Sequence, residues 1–390
     1  MIEEASRLGV AETYYFAKKL AEIREMNSES DTKVLNLGIG SPDLPPPASV
    51  TNVLAESASR PDAHGYQSYK GIPELNEAFA SWYKNHFDVS LVPEKEILPL
   101  IGSKEGVMHI SMSFLNDGDQ VLIPNPGYPA YAMCARLAGG EPLYFDLEEN
   151  LGWLPDLKKI EEEHDLSKVK IMWVNYPNMP TGGKATTDFF GELIAFGQKH
   201  NILICHDNPY TFILNDEPIS LLQIPGAKST ALELTSLSKN YNMAGWRIGA
   251  VVADKPVIDT LLKFKSNMDS GMFKPMQQAA VKALSLGAEW FDYLNGEYSK
   301  RKEVAMRIME SLGCEPLRGG VGMFVWARIP ETMTSAEKMA DDILYQSRVF
   351  ITPGHIFGSN GARYLRISLC SDVAQLEQAL QRIHQQIEVS

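Results

Sequence analysis

The residues best suited to covalent chemistry lie between Ser236 and Gly249. Lys239 follows Ser236 and Ser238, and Arg247 comes eight positions later at the start of an apolar run. A lysine amine becomes a nucleophile when its surroundings lower its pKa, and arginine binds phosphate through two parallel charge-assisted hydrogen bonds. A lysine able to form a Schiff base beside a phosphate site indicates pyridoxal phosphate (PLP). Taken alone, the same run is also typical of a solvated surface turn.

A second candidate site follows the apolar run 202–205, which is predicted to be a buried strand. Asp207 and Tyr210 come directly after it. In doubly wound sheets, ligands bind beyond the carboxyl ends of the strands. A carboxylate there keeps a pyridine nitrogen protonated, which PLP needs in order to accept electrons, and Tyr210 could reach the ring hydroxyl. The alternative is that Asp207 is an ordinary turn or cap residue.

Two further segments could complete such a site. Ser103 and Lys104 lie at a predicted strand-to-helix junction, where the first helical turn offers N–H groups to a phosphate; a plain helix cap is the alternative. Tyr128 lies in the proline-rich loop 125–131 and could stack on a flat ring or simply pack against the protein.

The remaining candidates lie further along the chain. Two prolines and two glycines fix the path of loop 175–183, as in many ligand-positioning loops and some simple turns. Arg366 interrupts a predicted strand, so it either faces solvent or meets a buried anion such as a substrate carboxylate. Together with the glycine-rich segment 38–43, these features make seven candidate segments. It is implausible that all seven would occur along one chain by coincidence.

Composition excludes several classes of protein. The chain has 390 residues, of which 44% are hydrophobic and 22% charged, as in ordinary globular proteins. Its net charge of −13 argues against nucleic acid or an anionic membrane as a partner. Four widely spaced cysteines favour a reducing compartment over disulfides or zinc. Neither a signal peptide nor a long apolar stretch is visible, so we expect a cytoplasmic protein without metal.

Strands alternate with helices from about residue 73 to residue 285. This pattern predicts an α/β fold whose large domain contains a mainly parallel, doubly wound sheet. Beyond residue 285 the pattern changes to a smaller α+β domain, which the N-terminal segment is expected to join. The predicted boundaries are 1–45 for that segment, 46–285 for the large PLP-binding domain and 286–390 for the small domain. An amphipathic helix is expected over residues 11–27.

The ordered features resemble those of the class I/II aminotransferases, PLP enzymes of the aspartate-aminotransferase fold, also called fold type I. The resemblance covers roughly residues 30–385, and its most specific parts are Ser236–Gly249 and the pair Asp207 and Tyr210. Segments 37–43 and 66–75 are similar to the branch that contains LL-diaminopimelate, alanine and aspartate aminotransferase-like enzymes.

The resemblance implies a role for each matching residue. Lys239 is expected to hold PLP as a Schiff base and then to carry the proton between the substrate Cα and the cofactor. Asp207 is expected to pair with the pyridinium nitrogen, Tyr210 to hydrogen-bond the ring hydroxyl, and Tyr128 to stack on the ring. The residues expected at the phosphate are Ser103, Lys104, Ser236, Ser238 and Arg247.

The substrate and the partner subunit are also implied by the resemblance. Arg366 is expected to bind the substrate α-carboxylate beside the Gly40 backbone. Tyr66 matches the position at which a dimer partner reaches the phosphate, which implies a homodimer. The family usually has asparagine where this chain has Met179, so Asn178, one place earlier, is expected to take over the contacts with cofactor and substrate or the contacts are lost.

The implied activity is transfer of an amino group between an L-amino acid and a 2-oxo acid. Aspartate, alanine or a related amino acid is the expected donor, and 2-oxoglutarate the expected acceptor. The same residues would also serve a carbon–sulfur β-lyase, because enzymes of this fold that catalyse different reactions bind the cofactor with the same set of residues. A substrate with an acidic side chain would need a second basic residue in the pocket. The candidates are Lys70, Arg136, Lys265 and Lys274.

Overall fold

Helices surround three sheets in the structure, a computed structural model that describes residues 2–10 and 15–387. The α-helices are α1 Tyr15–Ser28, α2 Ala48–Ala58, α3 Pro73–Phe87, α4 Pro93–Glu96, α5 Ser103–Phe114, α6 Ala130–Leu137, α7 Leu157–Glu163, α8 Thr187–His200, α9 Leu237–Asn240, α10 Lys255–Lys265, α11 Lys274–Leu284, α12 Ala288–Ser311, α13 Ala336–Ser347 and α14 Val373–Ile387. The first four positions of the helix predicted over 11–27 lie outside the described residues, and α1 confirms the remainder.

The strands form one large and two small sheets. They are β1 Leu35–Asn36, β2 Ile97–Leu100, β3 Gln120–Asn125, β4 Glu141–Asp146, β5 Val169–Val174, β6 Leu203–Asp207, β7 Ala231–Ser236, β8 Gly249–Ala253, β9 Glu315–Pro316, β10 Phe324–Arg328, β11 Val349–Phe350, β12 Thr352–Pro353 and β13 Tyr364–Ser368. The large sheet has the order β2-β8-β7-β6-β5-β3-β4. Its strands are parallel from β7 to β4, whereas β8 is antiparallel to both its neighbours. The predicted mainly parallel sheet is therefore confirmed.

Both faces of the large sheet are buried at its inner strands, which are almost continuously apolar, whereas the edge strand β4 is largely exposed. Side chains alternate between the faces along each strand. In β5, Ile171 and Trp173 pack with apolar residues of α5, α6 and α10, while Met172 and Val174 pack into the larger core on the other face. Helix α8 begins at an N-cap, where Thr186 Oγ1 accepts a hydrogen bond from Phe189 N, and ends at Asn201 in the left-handed conformation.

The smaller sheet is antiparallel, with the order β12-β13-β10-β9. The short parallel pair of β1 and β11 joins the N-terminal segment to the same part of the chain. No helix in the described ranges has both the length and the apolar character needed to cross a bilayer.

The candidate catalytic and cofactor-binding residues lie at one edge of the large sheet. Parallel strands β5, β6 and β7 end there, and antiparallel β8 starts there, because β7 and β8 run in opposite directions. The chain leaves β6 at Asp207 and β7 at Ser236, and it enters β8 just after Arg247. Residues about 40 positions apart in sequence are thus brought to one site.

Candidate active site

A cavity of about 540 Å³ opens at this edge of the large sheet, within the usual size range of small-molecule sites. One part of it, here called the polar end, is formed by Ser103, Lys104, Asp207, Ser236, Ser238 and Arg247. A second part, here called the apolar end, is formed by Phe16, Ala17, Leu20, Ile39, Phe324 and Phe357. Lys239 and Arg366 line the cavity as well.

Lys239 is held by a short helix that starts directly after β7. Ser236 caps α9, its hydroxyl oxygen accepting a hydrogen bond from Ser238 N at 3.2 Å. The Lys239 Nζ donates to the Gly40 carbonyl oxygen at 2.5 Å. Burial lowers the pKa of Lys239, and the positive charges of Arg366 and Arg247 lower it further. The amine is therefore easier to deprotonate than an ordinary lysine, as a nucleophile or base requires.

Arg247 and the start of α5 form the wall of the polar end. Arg247 has a left-handed backbone with φ of 58°, which turns its side chain back toward α9. Its Nη1 donates to Ser238 Oγ at 3.4 Å and to the Ala244 carbonyl at 2.9 Å. Gly102, with φ of 81°, packs so closely against the guanidinium that a Cβ would collide with it. A cation, three serine hydroxyls and the N-terminus of a twelve-residue helix make this wall suited to an anion.

Asp207 lies buried at the end of β6. One carboxylate oxygen, Oδ2, accepts a hydrogen bond from Tyr131 OH at 2.8 Å, while Oδ1 has no hydrogen-bond partner among the described residues. Burial raises the pKa of Asp207 to about 6, and the Tyr131 hydrogen bond opposes that rise. Asn175 Nδ2 donates to the Asp207 carbonyl at 2.6 Å and so fixes its backbone. The unpartnered oxygen is suited to a cationic N–H donor.

Aromatic rings surround Arg366 at the apolar end. Its guanidinium carbon lies 4.1 Å from the ring centre of Phe324, 4.6 Å from that of Phe357 and 5.8 Å from that of Phe16. Arg366 is only 3% exposed, and its Nη2 donates to the Gly38 carbonyl at 2.7 Å. A guanidinium held in apolar surroundings binds a carboxylate strongly, because little water competes for it.

An ion pair between the buried Arg301 and the more exposed Asp43 holds the glycine-rich segment against the cavity. Arg301 Nη1 and Nη2 donate to the two carboxylate oxygens of Asp43 at 2.6 and 2.9 Å. Arg301 Nη1 also donates to the Leu369 carbonyl at 2.9 Å. This bidentate contact ties α12 to the segment that presents Gly40 to Lys239.

Most of the residues predicted from the sequence meet in the cavity. They are Gly40, Ser103, Lys104, Tyr128, Asp207, Tyr210, Ser236, Ser238, Lys239, Arg247 and Arg366. Tyr66 does not line it and is 94% exposed. The sequence does not predict the cavity roles of Tyr131, which lies in loop 125–131, of Asn175 or of the aromatic residues of the apolar end.

Asn178 lies outside the cavity lining, since its side chain is used within its own loop. Its Oδ1 accepts from Thr181 Oγ1 at 2.7 Å, and its Nδ2 donates to the Asn175 carbonyl at 3.2 Å. Asn175 and Met179 line the cavity instead, and Arg366 Nη1 donates to Met179 Sδ at 3.3 Å. The hydrogen bonds within the loop keep the Asn178 amide away from the cavity. Its contacts with cofactor and substrate therefore stay a prediction.

Comparison with known proteins gives a family for this arrangement. The model of the family described as "Aminotransferase class I and II" matches residues 32–383. An LL-diaminopimelate aminotransferase from Dehalococcoides mccartyi is 41% identical over 369 residues, which cover 94% of each chain.

Solved structures agree with this result. The substrate-bound BacF structure from Bacillus subtilis superposes with a TM-score of 0.93 at 36% identity, covering 99% of this chain and 98% of that one. A mutant aspartate aminotransferase from Thermus thermophilus has a TM-score of 0.91 at 22% identity, covering 99% of this chain and 100% of that one, and shares the fold.

Proposed function

Because the chain belongs to the class I and II aminotransferases, it is a PLP-dependent transaminase, and we propose how its residues divide the work. The enzyme transfers an amino group between an amino acid and a 2-oxo acid. PLP supplies the electron sink that makes the substrate Cα–H bond acidic. The single observation that carries the proposed roles is that Lys239, Asp207, Arg247 and Arg366 all open on one cavity.

The polar end fits PLP at each of its three charged parts. Asp207 Oδ1, buried and without a partner among the described residues, suits the pyridinium N–H. Arg247, Ser103, Ser236 and Ser238 with the α5 backbone at Lys104 suit the phosphate, for the reasons of charge and hydrogen bonding given above. We assign the face of the ring to Tyr128 and the ring hydroxyl to Tyr210, whose pKa is raised by burial so that it stays a donor.

Lys239 is the residue to which we assign covalent attachment and proton transfer. Its lowered pKa leaves a larger neutral fraction of the amine at neutral pH, which a base needs. In this role Lys239 Nζ would take the proton from the substrate Cα and carry it to the cofactor. Arg366 binds the α-carboxylate beside the Gly40 backbone and thereby orients the Cα–H bond toward that amine.

The activity is tested by incubating the purified enzyme with amino acids and 2-oxo acids and following amino-group transfer. Transfer that needs both substrates supports the proposal. Release of pyruvate, ammonia and thiol without any 2-oxo acid would instead identify the carbon–sulfur β-lyase. Aspartate, alanine or a related donor with 2-oxoglutarate as the acceptor stays the sequence-based prediction for the first assay.

We also propose a homodimer in which Tyr66 reaches the phosphate of the partner's site. The exposed ring and its absence from this chain's own cavity lining support that role. Mixing inactive Lys239→Ala with Tyr66→Ala tests it, because each mixed dimer then contains one fully intact site. Recovery of activity on mixing is expected, and its failure, with mixed dimers formed, would contradict action across the interface.

The predicted division at residues 45 and 285 remains a proposal. Lys19 Nζ lies 2.8 Å from Asp341 Oδ1, so α1 is ionically tied to α13. The β1 and β11 pairing supports the same grouping of the N-terminal segment with the small domain. Residues 1, 11–14 and 388–390 of these ranges lie outside the described residues.

We propose a cytoplasmic location for the enzyme. Its four cysteines are buried thiols without disulfide bonds, as is usual in a reducing compartment.

A further inference from the structure

We propose that His206 is a buried imidazolium, protonated at both ring nitrogens, and that its charge helps to keep Asp207 ionised for the cofactor. His206 is absent from the described lining of the cavity, so it is a positioning residue that acts through Asp207. The inference rests on the proposed function, since it takes Asp207 as the partner of the pyridinium nitrogen. It adds to the cofactor site a residue that the cofactor does not touch.

His206 lies fully buried in β6, on the face of the sheet opposite to the Asp207 carboxylate, because consecutive side chains of a strand alternate between the faces. Its neighbour across the sheet is Glu233 of β7, which is also fully buried. The ring of Phe190, from α8, packs against the imidazole at 5.1 Å between ring centres. Bulk water therefore does not reach either group.

Both ring nitrogens of His206 face oxygen atoms that accept hydrogen bonds. Nε2 lies 3.0 Å from the Tyr176 carbonyl oxygen, which has no proton to give, so Nε2 must carry one. Nδ1 lies 2.8 Å from Glu233 Oε2. A neutral imidazole has a single N–H group, so a second proton must lie between Nδ1 and the carboxylate.

The surroundings of Glu233 place that second proton on the imidazole. Three donors converge on the carboxylate, namely Tyr83 OH at 2.9 Å, Ser220 Oγ at 3.0 Å and Leu221 N at 2.9 Å. Burial and the Glu233 charge raise the pKa of Tyr83, so its hydroxyl keeps the proton that it donates. Such hydrogen bonds favour a charged carboxylate, and an ordinary imidazole holds a proton more tightly than an ordinary carboxylic acid. His206 and Glu233 thus form a buried ion pair.

The imidazolium adjoins Asp207 in the strand, and its charge reaches that carboxylate through protein rather than through water. Burial raises the pKa of Asp207, the Tyr131 hydrogen bond lowers it, and the positive charge of His206 lowers it further. Charges interact more strongly in the protein interior than in water. His206 therefore contributes to the ionisation of Asp207 without touching the cofactor.

The charged and titratable groups around the imidazole come from four neighbouring segments. They are Glu233 of β7, Tyr83 of α3, Asp207 of β6 and Tyr176 of the loop after β5. A pair with a purely structural role would join β6 to β7 equally well. A test of the proposal therefore has to report protonation rather than stability.

Nitrogen-15 NMR of the PLP-loaded enzyme, labelled at its eight histidines, measures the charge of the ring directly. The His206→Gln variant identifies the His206 signals by their loss. We expect both ring nitrogens of His206 to carry a proton from pH 6 to pH 8, and Glu233→Gln to leave only one of them protonated. A neutral ring in the wild type, or a ring that titrates within this range, would overturn the proposal.

The effect on Asp207 is measured by the pH dependence of PLP affinity in equilibrium titrations. PLP affinity should rise as pH passes through the pKa of this carboxyl, because the pyridinium pairs with the ionised form, and Asp207→Asn should lack that step. In His206→Gln and Glu233→Gln the midpoint of the step should move upward by roughly one pH unit.

Tyr83→Phe is the matched control for these titrations. It removes a hydrogen bond from the same Glu233 carboxylate but leaves the imidazolium charged. Its midpoint should therefore stay at the wild-type value.

Midpoints in His206→Gln and Glu233→Gln that match the wild type would contradict the role assigned to the charge, even with a protonated ring. If His206→Gln does not fold, Glu233→Gln supplies both the assignment of the signals and the midpoint. Failure of the proposed function has a different signature, since Asp207→Asn would then bind PLP like the wild type at every pH.

Discussion

The two ends of the cavity are built in different ways. The polar end comes from one edge of the large sheet, where Asp207 and Ser236 end their strands and Ser103 follows β2. The apolar end is assembled from α1, the segment after β1, strand β10 and the turn Gly354–Phe357 after β12. The polar end thus depends on a single sheet edge, whereas the apolar end depends on how the N-terminal segment and the small sheet pack over it.

Loss of the carboxylate anchor tests whether the apolar end binds substrate. Arg366→Ala removes a buried charged partner, which costs about 2–5 kcal/mol of transition-state binding. We expect kcat/KM to fall by roughly 100-fold or more, while PLP affinity stays unchanged. Arg363→Ala is the matched control, since Arg363 donates to the Met333 and Pro330 carbonyls instead. Equal losses in the two variants would contradict the assignment.

Asp207→Asn tests the polar end. We expect the substitution to stabilise the PLP-free protein and to weaken PLP binding. The folded-state pKa of Asp207, about 6, lies above its unfolded value of about 3.9. The stability contributed by the protonated form is present below pH 4 and is lost as pH rises through 6. At pH 8 the buried carboxylate therefore costs about 3 kcal/mol in the PLP-free protein.

Denaturant unfolding of PLP-free wild type and Asp207→Asn at pH 8 and pH 5 measures this cost. The variant should be the more stable protein at pH 8, and the difference should shrink at pH 5. Its affinity for PLP should nevertheless be lower, because the pyridinium loses a charged acceptor. A pH-independent difference would contradict burial as its cause.

A smaller effect is expected when the partner of Asp207 is changed. Tyr131→Phe removes one hydrogen bond to a charged group, worth about 1.5–3 kcal/mol, while its stacking on Trp173, at 4.7 Å between ring centres, is retained. PLP should bind roughly 10-fold more weakly in an equilibrium titration. Unchanged PLP affinity would mean that Tyr131 is only a packing residue.

The contrast between the ends explains what the sequence could and could not reveal. Asp207, Lys239 and Arg247 were predictable because strand ends in a doubly wound sheet meet at one edge. Phe16 and Phe324 were not, because they come together from more than 300 positions apart and neither lies in a recognisable motif.

The loop after β5 shows a second limit of the sequence. The sequence predicted Asn178 as the cavity residue of this loop, but the backbone path decides which side chain reaches the cavity. That path directs Asn178 to Thr181 and leaves Asn175 and Met179 at the cavity. Tyr131 was missed for a related reason, since the orientation of its ring depends on Trp173 of a neighbouring strand.

Reductive trapping of PLP tests the central assignment most directly. Borohydride fixes a Schiff base irreversibly, and peptide mass spectrometry then locates the modified lysine. The account predicts that the label lies on Lys239 and that Lys239→Ala takes up none, while the fold is retained. A reducible adduct in Lys239→Ala, or a label on Lys104 in the wild type, would contradict it.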